Sequence, residues 1–327
     1  MQRIITPTQI SLFAISELAA QLEELVIRKR FTEKIPPKSE LEKQLIKDGE
    51  RHERILLESL ADKNNNIINI GDFPANQRSK ETINAMKNKV AYIYQGSLEN
   101  SEIKGSADVL RRTNNPSRLG DWSYIPIECK LSSKSKTNFI IQSCAYCDLL
   151  ESIQGIKANY FELYLGGMKF KKFETKKYWN WYFLLKKRYK DFIANFDDQI
   201  EPFLIPGDHG KWTDYVKDKL KKNRDLILVA GMTQSQRSKL IKNNIQTIDE
   251  FAALKSNNKI FVSKKDTLRN LYKQSKVQVL PKSSDDKPNL EPRIWFELKK
   301  DDNNTKNILP LKNDGDIWFD MEGFHDS

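Results

Sequence analysis

The sequence predicts an α/β protein, a mixed sheet flanked by helices and followed by a small helical domain. Three observations predict it. Apolar residues recur at helical spacing over Thr6–Arg30, Ser39–Leu60 and Phe139–Ile153. Short strand-like runs, Val90–Gly96, Lys104–Arg111 and Tyr124–Leu131, lie between the second and third of these and are separated by turn-forming residues. Another strand-like run, Tyr160–Gly167, follows the third helical segment. Strands, then a helix, then a further strand imply a mixed sheet with helices on its faces.

In the first helix Thr6 can cap, Pro7 suits the first turn and Gln9 can complete a capping box. It is expected to run to about Arg30, with Ile10, Phe13, Leu18, Leu22 and Leu25 near one face. Pro36 and Pro37 break the chain. The second helix carries His52 on its polar side, where a neutral imidazole could reach a metal or simply pack. Ile67–Ile70 reads as a strand and Ser79–Lys87 as a short helix. The next three strands form a meander, the middle one ending near Asp108. Alternation along Tyr124–Leu131 puts Glu128 and Lys130 on one face and Ile127, Cys129 and Leu131 on the other. The basic stretch Lys134–Asn138 leads into the third helix, where Gln142 and Tyr146, four residues apart, share a face. Lys176–Phe196 is an aromatic and basic helix, whose rings and lysines could stack bases and hold phosphates or could form core.

At 327 residues the chain is long enough for two or three domains. A net charge of +11 suits a polyanionic partner, although a Lys- and Asn-rich composition yields the same balance. Three cysteines, Cys129, Cys144 and Cys147, fit a reducing cytoplasm rather than a disulfide scaffold. The opening residues lack the apolar core and cleavage site of a secretory leader. No run approaches the roughly 18 apolar residues needed to span a bilayer. A cytoplasmic protein with no membrane partner is expected.

Glu128 and Lys130 on one strand face, with Asp108 on a neighbouring strand, are the residue types of metal-assisted phosphodiester hydrolysis. Two carboxylates hold a hard divalent cation through oxygen. The cation activates water and stabilises charge on the phosphate, and the lysine serves the attacking water and the developing anion. Glu-x-Lys alone also fits a solvated strand face, so the order of motifs carries the reading. A helical His52, Asp108 after Gly105, Glu128-x-Lys130 and Gln142-x-x-x-Tyr146 follow one another. Together with the phrases Lys104–Arg111, Gln142–Leu150 and Ile153–Gly155, they resemble the RecB-like branch of the PD-(D/E)xK nucleases, over most of the chain. The likeness is closest to members with a second exonuclease module downstream.

The resemblance implies a restriction-endonuclease-like sheet and Mg or Mn held by His52, Asp108 and Glu128. It implies catalytic roles for Asp108, Glu128 and Lys130, and DNA engagement by Gln142 and Tyr146. Many relatives carry four cysteines for an iron–sulfur cluster. Three cysteines cannot supply four thiolates, none precedes Cys129, and no cluster is expected. Cys144 and Cys147 have the spacing of a metal half-site without partners and read as helix packing.

The nuclease-like domain is placed at 1–200, a helical connector at 201–278, a polar linker at 279–313 and the start of a further domain at 314–327. In the connector, two short helices around Asn243-Asn244 resemble a helix-hairpin-helix. Such hairpins hold phosphates on backbone amides, but asparagine stands where glycine is usual, and a structural connector fits equally. Ile317–Met321 reads as a strand with Asp320 and Glu322 on one face, resembling the first motif of a DEDD-type exonuclease with an RNase H-like fold. That fold needs further strands and acids, so Asp320 and Glu322 are read as a vestigial motif, with a downstream exonuclease or helicase module missing. The expected function is a Mg- or Mn-dependent deoxyribonuclease acting on single strands or ends in DNA repair or processing, with RNA left open. The alternative is a non-catalytic nucleic-acid-binding or scaffolding fragment of a longer nuclease.

Overall fold

A computed structural model of the chain describes residues 3–33, 40–61, 66–255, 258, 260 and 266–279. The chain divides into two compact units, 1–223 and 224–327.

The first unit opens with α1 (Pro7–Ile15), whose capping box forms as the sequence predicts: Gln9 N donates to Thr6 Oγ1 at 3.2 Å, and Thr6 N donates to Gln9 Oε1 at 2.9 Å. The expected single helix is in fact two. Ser16 is extended, with φ −155° and ψ 104°, and its hydroxyl accepts from Ala19 N at 2.9 Å, so one residue ends α1 and caps α2 (Glu17–Ile27). A serine that offers its own oxygen to the backbone competes with continuing the helix.

After α3 (Glu40–Ala61) come β1 (Ile67–Asn69), α4 (Arg78–Lys87), β2 (Tyr92–Glu99), β3 (Lys104–Thr113) and β4 (Ser123–Lys130). Next are α5 (Thr137–Gln154), β5 (Tyr160–Leu165), β6 (Lys169–Glu174), α6 (Thr175–Ala194) and α7 (Thr213–Lys222). The six strands form one mixed sheet in sequence order. β2, β3 and β4 are the antiparallel meander, β1 joins β2 in parallel, and α5 carries the chain from β4 to a parallel β5. β6 was not predicted. Its Lys-Phe-Lys-Lys-Phe-Glu sequence lacks clean alternation, and it forms only as an edge strand antiparallel to β5 with Phe173 alone buried.

The sheet is covered on both faces. On one, Ile10, Phe13, Met86, Ile141, Leu149 and Tyr182 of α1, α4, α5 and α6 pack on Ile93, Leu110, Tyr124 and Phe161. On the other, Leu56 and Leu60 of α3 pack on Val109, Ile127, Cys129 and Tyr164. β4 is consequently buried from Ser123 to Cys129, the signature of a strand inside two layers. The aromatic helix α6 resolves largely as core: Tyr182, Leu185 and Tyr189 are buried, and Lys186 lies between Asp148 and Glu102, 2.7 Å from each.

The first unit extends beyond the boundary expected at residue 200. Trp212 is fully buried, stands edge-on to Phe31 with ring centroids 5.1 Å apart, and donates from Nε1 to Glu23 at 2.8 Å.

In the second unit α8 (Gln234–Ile241) and α9 (Ile248–Ala252) each begin with a capping box, Thr233 with Gln236 and Thr247 with Glu250. With α10 (Asp266–Val279) they enclose Leu226, Val229, Leu240, Phe251, Leu271 and Tyr272. Asn244 takes φ 59°, so asparagine here adopts the left-handed turn for which glycine is usual. Residues 280–327, with most of the expected linker and the exonuclease-like motif of Asp320 and Glu322, lie outside the described residues. Among the described residues no helix is long and apolar enough to cross a membrane.

Candidate active site

The site forms where the β3–β4 ladder ends. The strands pair from Thr113↔Ser123 to Val109↔Ile127, and Asp108 and Glu128 are the next residues on each. Beyond that point side chains replace ladder bonds. Cys129 N donates to Asp108 Oδ2 at 2.7 Å, and Asp108 N makes a long bond of 3.5 Å to Glu128 Oε1.

A local break in alternation lets Asp108 reach across. Leu110 lies in the α5-side core and Val109 in the α3-side core, yet Ala107 is again on the α5 side. β2 slips in the same way, from Ile93 to Leu98 on the α5 side. Gln95, between them, has φ 52°, a left-handed conformation costly for a non-glycine residue. Gly96 follows because a Cβ there would meet Leu110 Cδ1 at 2.7 Å.

Lys130 joins the two carboxylates. Its Nζ is 3.0 Å from Glu128 Oε2 and 3.9 Å from Asp108 Oδ2, and 5.6 Å from the centre of the Phe139 ring. Tyr146 approaches from α5. Its hydroxyl donates to Ser106 O at 2.6 Å, interacts with the Gln142 side chain and lies within the field of Glu128. Gly105 permits this approach, since a Cβ would stand 2.8 Å from Pro7 Cδ and 3.3 Å from Tyr146 Cε1. Asp108, Glu128, Lys130, Gln142 and Tyr146 are thus brought together, with Tyr146 buried rather than offered to solvent.

His52 does not join them. Its ring stacks on Tyr164 with centroids 4.6 Å apart and an interplanar angle of 17°, and Nε2 lies 3.3 Å from the Tyr164 carbonyl oxygen. The next residue, Glu53, turns toward the site instead. Its Oε2 accepts from Tyr94 Oη at 2.9 Å and from Gln95 Nε2 at 3.4 Å. Burial, then the Asp108 charge, raises its carboxyl. Sequence reading passed over Glu53; the available signal was that adjacent helical residues point about 100° apart.

The electrostatics follow from burial. Glu128 is fully buried, and desolvation, with Asp108 adding to it, pushes its carboxyl up to about 8 against the opposing pull of Lys130. Burial likewise raises Asp108, while Lys130 and the Cys129 amide hold it down. Burial alone would lower the Lys130 ammonium, but the Glu128 and Asp108 charges outweigh it, so the lysine stays protonated. The three cysteines are buried and carry free thiols raised by desolvation.

Among the described residues no three His, Cys, Asp or Glu side chains are gathered closely enough to hold a metal ion. Asp108 and Glu128 are nonetheless hard oxygen donors, and Mg is commonly held by one or two carboxylates with water completing the shell. Two like charges with raised carboxyls beside one lysine are a donor set that a divalent cation would relieve. No known family model matches this chain, and no curated protein matches it.

Proposed function

We propose that this chain is a divalent-metal-dependent nuclease that hydrolyses DNA phosphodiester bonds, on a restriction-endonuclease-like sheet. One observation carries the reading: Asp108, Glu128 and Lys130 converge at the end of the β3–β4 ladder, with Lys130 Nζ within 3.0 and 3.9 Å of the two carboxylates. The β2–β3–β4 meander followed by α5 and a parallel β5 supports the same reading.

Asp108 and Glu128 would hold Mg or Mn, which when bound neutralises phosphate charge and lowers the pKa of water. Lys130 is kept charged by both carboxylates and cannot serve as a base. Its role is cationic: it orients the phosphate and stabilises charge that develops on the oxygens. Tyr146 and Gln142 brace the β3 end through the Ser106 carbonyl, holding Asp108 in place.

A specific observation favours a second reading, a non-catalytic nucleic-acid-binding fragment. Lys130 already serves both carboxylates as a counter-ion, so the cluster is partly self-neutralised. Cleavage of labelled single- and double-stranded DNA with Mg or Mn separates the two. The nuclease reading expects cleavage by wild type and its loss in Lys130→Ala. Wild type that binds DNA without cutting it with either metal supports the second reading.

A further inference from the structure

The row of residues through Lys130 continues past the site to the sheet edge. Lys130 pairs with Leu165 on β5, and Leu165 pairs with Lys169 on β6. Cross-strand partners share a face, so Lys169 lies on the same face as Lys130, two strand spacings or about 10 Å away. Lys171, two residues along β6, shares that face and donates to Ser135 Oγ at 3.2 Å. This bond ties the edge strand to the basic loop between β4 and α5. On that loop Lys136 Nζ lies 6.0 Å from the centre of the same Phe139 ring that Lys130 approaches from 5.6 Å. Lys134, Lys136, Lys169 and Lys171 are all exposed, and none has an acidic partner among the described residues.

Exposed lysines gathered along one edge without carboxylates to balance them repel one another; a polyanion laid along them relieves that repulsion and releases counterions from its phosphates. We propose that the β4–α5 loop and the edge strand β6 form a track for single-stranded DNA, with Lys134, Lys136, Lys169 and Lys171 binding its phosphates. The track leads to Lys130 across the face of Phe139. Charge complementarity selects the polyanion. The single strand is selected by the site at its end: Glu128 is fully buried and the Lys130 side chain is only 17% exposed, so a phosphodiester must leave a broad duplex surface to approach them. The choice of polymer rests on the nuclease reading, but the track concerns binding alone.

The test is binding of a labelled single-stranded oligonucleotide to the full chain in EDTA, over a series of salt concentrations. The track variant is Lys134→Gln/Lys136→Gln/Lys169→Gln/Lys171→Gln, where glutamine keeps most of each stem. The control removes equal charge from exposed lysines elsewhere in the first unit: Lys80→Gln/Lys87→Gln/Lys187→Gln/Lys217→Gln. Without the four ammonium groups that would hold phosphates, the track variant's slope of log affinity against log salt falls by about 3, with affinity down at least about tenfold at low salt. The control keeps the wild-type slope to within about 1. Equal losses in both variants, or an unchanged slope in the track variant, overturn the proposal, as does tighter binding of duplex than of single strand by wild type. A slope that falls in the track variant alone, with a wild type that cuts nothing with Mg or Mn, supports the track and counts only against the nuclease reading.

Discussion

Glu128 sits at the junction of three demands: no solvent, a neighbouring carboxylate and one shared lysine. Replacing it or Asp108 with its amide keeps the shape and removes the charge. Asp108→Asn or Glu128→Gln is expected to reduce cleavage to background while DNA affinity stays within about threefold, because phosphates are held by exposed lysines rather than by these two carboxyls. Cleavage near the wild-type rate in either variant would exclude this site. The same buried carboxyl makes a pH prediction. Glu128 is raised from an ordinary 4.5 to about 8, so between those values the folded chain holds a proton that the unfolded chain has released. Stability is therefore lost as pH rises through that window, and the raised carboxyls of Asp108 and Glu53 act in the same direction. Urea midpoints of wild type should fall from pH 5 to pH 8 and those of Glu128→Gln should fall less; Mg should raise the wild-type midpoint at pH 8 and leave the variant's unchanged. An equal slope in both proteins would mean that other groups set the dependence. At this scale strand alternation pointed to Glu128 and Lys130 and motif order to Asp108, and the structure brings the three side chains together although Asp108 reaches them through a break in alternation. It disclosed His52 but not that its ring prefers the face of Tyr164, a contact 112 residues away in the chain. Glu53 escaped because its role depends on Tyr94 and Gln95, and thus on the left-handed turn at Gln95 that no local pattern announces.

Elements with strong periodicity were legible, including the β2–β3–β4 meander and the placement of α5 before β5. What escaped was decided by single residues or by neighbours. Ser16 splits one apolar-periodic stretch into α1 and α2 through its own hydroxyl, and β6 exists because β5 offers it an edge. The β5–β6 turn shows how such a junction bears on the site. A Cβ at Gly166 would stand 2.1 Å from the Leu131 carbonyl oxygen, a backbone atom immediately after Lys130. Gly167 has φ 78° but open space around it. Gly166→Ala should cost about 1–3 kcal/mol, as overpacking does, and should also lower cleavage by displacing the end of β4. Gly167→Ala should cost about 1–2 kcal/mol in backbone strain and leave the cleavage rate per folded molecule unchanged. Thermal melts with activity normalised to folded protein distinguish them, and equal activity losses would show that Leu131 does not transmit the effect.

For the whole molecule, the distribution of cores sets where the chain can be cut. Among the described residues, those of the two cores that clothe the sheet lie before residue 194, and the separate cluster around Phe251 and Tyr272 begins at Leu226. Composition alone would place the boundary at the Pro- and Gly-containing stretch near 201, because that is where helical patterning stops. The packing places it later. Trp212 is fully buried against Phe31 and bonded to Glu23, Tyr215 stands 5.4 Å from the same Phe31 ring, and the Ser16 hydroxyl lies 2.7 Å from Nδ1 of His209. These contacts tie the segment after 201 to α2, at the opposite end of the unit's sequence, which a reading confined to local windows does not register. A fragment of residues 1–223 should therefore unfold in one cooperative transition and, on the proposed nuclease reading, cleave DNA at the rate of the full chain. A fragment of residues 1–200 loses the buried tryptophan, and removal of a large core aromatic costs about 3–5 kcal/mol, a large part of a typical domain's stability of roughly 5–15 kcal/mol. Its urea midpoint should be far below that of 1–223. Equal midpoints for the two fragments would place the boundary back at 200 and make α7 an appendage rather than a part of the first unit.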